Sequence, residues 1–153
     1  MKNILLIISA SYLLTACNNN ADKEGTDTSK TEVIKKYSWE AMLNDSTSKL
    51  EMKKMENKGP DTLNAPAVLT FLNGKNATVK LEFVKISADT VYLSIPAATY
   101  LTQQMGSTGP TIYFANVVFN LTEIPGIKYV NFDFEEGDHA SPATYSRESF
   151  KDE

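Results

Sequence analysis

The sequence predicts a single α+β domain in which an antiparallel sheet packs against one principal helix. Three stretches carry that expectation. Val79, Leu81 and Phe83 alternate with Lys80 and Glu82, and Val91, Leu93 and Ile95 alternate with Tyr92 and Ser94, which is the period of two of half-buried strands. Pro110 opens an apolar run from Thr111 to Leu121 that Pro125-Gly126 closes, the punctuation of a buried helix. From Ile127 to Phe134 the alternation returns, with Val130, Phe132 and Phe134 on one face and Tyr129, Asn131 and Asp133 on the other.

Before the domain comes a leader. Lys2 precedes an apolar stretch from Ile4 to Leu14, and small residues follow, which describes a secretory signal peptide over 1–16. The stretch is too short to span a bilayer core, which takes about 20 apolar residues. Leu14-Thr15-Ala16-Cys17 resembles the bacterial lipobox, and that resemblance implies a diacylglycerol thioether on Cys17 and a membrane-held product. From Asn18 to Glu32 there is no aromatic or large aliphatic residue to offset the entropy of ordering, so 17–32 reads as the lipidated cysteine and a flexible linker. Asn18 replaces the aspartate that retains some lipoproteins in an inner membrane. The outer membrane is therefore expected, with either leaflet open.

The folded domain is expected over 33–153. Tyr37 to Leu43 and Lys49 to Met55 flank the turn formers Asn44-Asp45-Ser46-Thr47-Ser48, which fits a hairpin, although Trp39, Met42 and Leu43 also fit one helical face. Gly59-Pro60-Asp61 is a break. Ala65 to Leu72, ended by Asn73-Gly74, reads as a short helix with a glycine stop or as a strand entering a tight turn. The phase shift at Val84 and Ile86 marks a bulge. Ser87-Ala88-Asp89-Thr90 joins two antiparallel strands, and Pro96 ends the second because it cannot donate to the ladder. The run from Thr111 to Leu121 is β-branched enough for a strand to compete, but its proline start and length favour a helix.

Asp89-Thr90-Val91-Tyr92-Leu93, Leu121-Thr122-Glu123-Ile124-Pro125-Gly126-Ile127 and Tyr129-Val130-Asn131-Phe132 together resemble the GerMN-type domain of sporulation and spore-germination proteins. The resemblance spans Ala65 to Gly137. It implies an extracytoplasmic α+β module, commonly on lipoproteins, with no catalytic residues to transfer.

Composition narrows the chemistry. A formal net charge of -4, more negative once Lys2 is lost, argues against nucleic acid as a partner. Cys17 is the sole cysteine, so the exported domain has no disulfide, thiol nucleophile or cysteine zinc site. Stability must come from packing. Three Asn-X-Ser/Thr triplets, at Asn44, Asn76 and Asn120, are incidental in a bacterial lipoprotein.

Two clusters are candidates for ligand binding. Gln103, Gln104, Ser107 and Thr108 surround the glycine-rich start of the helix, where free N–H groups favour an anion and amides suit sugars or peptides, but the phosphate-loop lysine is missing. The second comprises Asp138, the only histidine His139, Ser141, Tyr145 and Arg147. Asp138, His139 and Ser141 have triad residue types but are nearly consecutive, and the spacing matches neither an EF-hand loop nor a zinc site. No metal and no cofactor is expected. The leading expectation is a non-catalytic binding or structural module for peptidoglycan, another glycan or an envelope protein. A small hydrolase using His139 and a secreted inhibitor or protective lipoprotein are the alternatives.

Overall fold

Gly126, with φ at 86°, turns the chain from the longest helix directly towards a strand, and that connection decides how the sheet is built. The structure is a computed structural model that describes residues 36–152; the leader, Cys17 and the linker lie outside the described residues. In chain order the elements are β1 (Tyr37–Leu43), β2 (Leu50–Glu56), α1 (Ala65–Lys75), β3 (Glu82–Ser87), β4 (Thr90–Ser94), a π-helical turn (Tyr100–Gln104), α2 (Gly109–Leu121), β5 (Tyr129–Asp133), β6 (Ala143–Tyr145) and a 3-10 turn (Arg147–Phe150). The α+β class is observed. Among the described residues no helix is long and apolar enough to cross a membrane.

The main sheet has the order β3-β4-β5-β6. Its outer pairs, β3 with β4 and β5 with β6, are antiparallel, and its central pair β4 with β5 is parallel. The chain returns through α2 between β4 and β5, and a crossover helix brings the next strand back in the same direction. The bulge expected near Val84 lies between Phe83 and Lys85. Val91, Leu93, Val130 and Phe132 form one buried cluster with Phe114, Val117, Val118 and Leu121 of α2, and Phe114 approaches Phe132 to 4.8 Å between ring centroids. Phe134 falls just past β5 and stacks on Phe114 at 5.9 Å.

Between the two readings of residues 37–55, the hairpin is observed. β1 and β2 pair in continuous antiparallel register from Tyr37 opposite Glu56 to Leu43 opposite Leu50. Asn44 Oδ1 accepts from the Ser46 and Thr47 amides and shapes the turn. Residues 65–72 are helical, because Asn64 Oδ1 caps the Ala67 amide at 2.9 Å and Pro66 sits in the first turn. That helix does not stop at Asn73-Gly74 but runs on to Lys75. Asn73 is held inside it, donating through Nδ2 to Leu81 O and accepting from Leu81 N through Oδ1, at 2.9 and 2.8 Å.

β1 meets α2 through hydrogen bonds more than through apolar burial. Asn120 Oδ1 accepts from the Trp39 amide at 3.0 Å while its Nδ2 donates to Trp39 O at 2.9 Å, and Asn116 Oδ1 accepts from the Ala41 amide at 2.7 Å. The spacing explains the fit. Four residues along a helix rise about 6 Å, and two residues along a strand advance about 6.6 Å. Asparagines at i and i+4 therefore match strand residues at i and i+2, and the two amides stand in for a neighbouring strand. Asn120 is buried, which removes its triplet from the accessible surface.

Candidate functional site

Residues 135–141 form a loop that packs on the π-helical turn. Gly137 N donates to Ala140 O at 3.1 Å, and His139 N donates to Thr102 O at 2.9 Å. A Cβ on Gly137 would lie 2.6 Å from Thr102 Cβ, so this close approach needs glycine. Thr102 is itself buried, with its hydroxyl donating to Ala98 O. Between the loop and the start of α2 opens a polar cleft of about 510 Å³, lined by Pro110, Thr111, Asp138, His139, Ser141 and Tyr145 among others. Tyr145 stacks on Phe114 and Phe150 at 5.2 and 5.6 Å, and Ser141 Oγ donates to a Glu136 carboxylate oxygen at 2.7 Å.

The cleft thus gathers Asp138, His139, Ser141 and Tyr145 but not the first predicted cluster. Gln103 and Gln104 belong to the π-helical turn rather than to a glycine-rich loop, and with Ser107 and Thr108 they are exposed outside the cleft lining. Thr108 occupies the N-cap position without a side-chain capping bond. Asp138 and His139 are exposed. Among the described residues the imidazole has no hydrogen bond to a serine or carboxylate, and no three His, Asp or Glu side chains are grouped as metal ligands.

Arg147 sits elsewhere, at the C-terminal end of α2. Its Nη2 donates to Phe119 O at 2.9 Å and to a Glu123 carboxylate oxygen, and its Nε donates to Thr122 Oγ1 at 2.7 Å. A cation there also offsets the helix dipole. Glu123 further accepts from the Tyr37 hydroxyl and from Trp39 Nε1, the latter at 2.8 Å. Burial alone would raise the Glu123 pKa, but hydrogen bonds from Tyr37, Arg147 and Trp39 and the Arg147 charge outweigh it and hold the carboxyl below its ordinary range. The same bond to Glu123 holds the Tyr37 hydroxyl above its ordinary value. Phe119 is only half-buried here, edge-on to Trp39 at 5.7 Å, and not part of the deep core.

Two further concavities escaped the sequence reading. One of about 280 Å³ lies between the hairpin and the two helices, lined by Trp39, Glu40, Lys75, Tyr113 and Asn116 among others, with Lys75 and Glu40 paired across it. The other lies on the sheet face away from α2, where Lys85, Tyr92, Asn131 and Thr144 stand in one cross-strand row. Asn131 Nδ2 donates to Thr144 Oγ1 at 2.8 Å, and Lys85 Nζ lies 4.9 Å from the centre of the Tyr92 ring. The polar alternation of Tyr129, Asn131 and Asp133 already placed this face towards solvent; the row needed the strand order.

No protein-family model matches the chain, and no curated protein matches it. Among solved structures it is similar to the tandem GerMN domains of the sporulation protein GerM from Bacillus subtilis, with 16% identity and a TM-score of 0.44 over 74% of this chain and 44% of that one. The chain spans less than half the length of that neighbour, and so distant a likeness fixes neither family nor activity.

Proposed function

We propose that this chain is a lipid-anchored bacterial envelope protein whose domain is a non-catalytic binding or structural module for a cell-wall, glycan or envelope-protein partner. Cys17 carries the lipid, and the outer membrane is the expected home. The observation that supports a binding role is the cleft beside the 135–141 loop, where Asp138 and His139 stand exposed on a scaffold fixed by the Gly137–Thr102 approach and the His139 N–Thr102 O bond. General-base catalysis asks the imidazole to face both a proton to abstract and an orienting partner. Here the side chain is free to serve as a hydrogen-bonding group instead.

Pull-down and hydrolysis assays on purified cell-wall material, run together on wild type, Asp138→Ala and His139→Ala, test the reading. Each lost hydrogen bond is expected to weaken capture by about 0.5 to 1.5 kcal/mol, or roughly two- to tenfold, with little change in melting. Turnover that vanishes in His139→Ala would sink the proposal and establish a hydrolase. For the anchor, fatty-acid labelling that persists in Cys17→Ser would remove the lipoprotein assignment.

A further inference from the structure

The molecule finishes its strand edges in two ways. The outer strand of the hairpin, β2, carries Glu51, Lys53, Lys54 and Glu56, exposed charges of both signs that discourage further pairing. β3, one of the two outer strands of the main sheet, is exposed along its whole length and presents Phe83, Val84 and Ile86 at 46%, 55% and 45% exposure. Among the described residues nothing pairs with its outer side.

The bulge gives β3 an unusual symmetry. Phe83 lies opposite Leu93 and Ile86 opposite Val91, both buried, so Phe83 and Ile86 share the helix side of the sheet although they are three residues apart. Glu82 and Lys85, opposite Ser94 and Tyr92, share the open side. Such a strand complements itself when reversed. About a twofold axis between Val84 and Lys85, Phe83 meets Ile86 of a second copy on one face, and Lys85 lies diagonal to Glu82 of that copy on the other. Diagonal neighbours on paired strands are about 7–8 Å apart, within reach of long side chains.

We propose that β3 is a self-association edge through which two copies of this chain pair antiparallel, joining their main sheets into one continuous sheet. This goes beyond the cleft and does not depend on it. Lysine and a bulge normally keep an edge strand single. In this register each Lys85 is offset by a carboxylate, the bulges meet at the axis, and the flanking Phe83–Ile86 pairs cover the exposed apolar surface. The contact is isologous and closed, so it ends at a dimer rather than a fibre.

Sedimentation equilibrium of the full chain, at concentrations up to roughly 1 mM because a single strand pair is a small interface, is expected to show a monomer–dimer equilibrium. Lys85→Glu and Glu82→Lys each set like charges at both symmetric diagonals and should weaken the dimer by about tenfold. The double swap should restore it, and so should mixing the two single variants, which regenerates opposite charges across the pair. Circular dichroism melts of these surface variants should match wild type. A monomer at every concentration would overturn the proposal, as would a dimer indifferent to the swaps, which would locate the contact on another edge or on residues 1–35.

Discussion

The main sheet and the β1–β2 hairpin are held to the same helix by different forces. Against α2 the sheet buries Val91, Leu93, Val130 and Phe132 essentially completely, whereas the hairpin's only fully buried residue is Ser38 and its attachment runs through Asn116, Asn120 and Glu123. Burial is non-directional and scales with area. A hydrogen bond contributes a modest net amount when made but leaves a costly orphan when one partner is lost. The sheet should therefore tolerate changes of shape and fail on loss of volume, while the hairpin should tolerate loss of volume and fail on loss of a polar partner.

The largest effect should come from the sheet. Phe132 is 1% exposed and contacts Phe114 and Tyr145, so Phe132→Ala leaves a cavity between sheet and helix and is expected to cost about 3 to 5 kcal/mol. Denaturant melts followed on a whole-domain signal measure it. A loss below about 1 kcal/mol would break the contrast, because it would mean that the sheet does not depend on volume.

The next effect belongs to the hairpin. Asn120→Ala removes the acceptor of the Trp39 amide and the donor to Trp39 O, and it leaves both backbone groups against an apolar helix. An expected cost of about 1 to 3 kcal/mol follows from stranding buried polar groups. Hydrogen exchange should show where it falls: the Trp39 and Ala41 amides should lose protection while those of β4 and β5 keep theirs. Equal loss across both regions would mean that hairpin and sheet unfold as one unit.

This contrast also separates what the sequence disclosed from what it withheld. Period-two alternation marked β4 and β5 because one face of each is buried, and that is the pattern a hydrophobic core writes into a strand. The parallel pairing of β4 with β5 was not among the expectations, which had an antiparallel sheet; it comes from the crossover through α2, which returns the chain in the same sense. The hairpin left no such pattern, and Trp39, Met42 and Leu43 fit one helical face as well as a strand, because its apolar side chains are at most partly buried against the core. Asn116 and Asn120 were visible four apart inside an apolar run, but their meaning required knowing that a strand edge lay alongside. Asp138, His139, Ser141 and Tyr145 converge because the turns around them are local. Arg147 does not join them, since the 3-10 turn carries it to the end of α2 and Glu123.

The smallest effect is a pH response confined to the hairpin. Glu123 is held below its ordinary carboxyl range by Tyr37, Arg147 and Trp39 against the opposing effect of burial. A carboxyl with a depressed folded pKa binds fewer protons folded than unfolded, so its contribution is fully present above the unfolded value of about 4.3 and is lost as pH falls through the lower folded value. Only below about pH 4 should the hairpin loosen on this account. The group is partly open to solvent, so the loss should be smaller than that in Asn120→Ala. Glu123→Gln keeps the side-chain shape but cannot titrate, and its hairpin protection should be lower at neutral pH and flat through the acid range. Fluorescence of Trp39, the single tryptophan, reads this directly because its indole nitrogen donates to Glu123. An acid transition of Trp39 unchanged in Glu123→Gln would assign the response to other carboxylates and leave the hairpin's attachment to the asparagines alone.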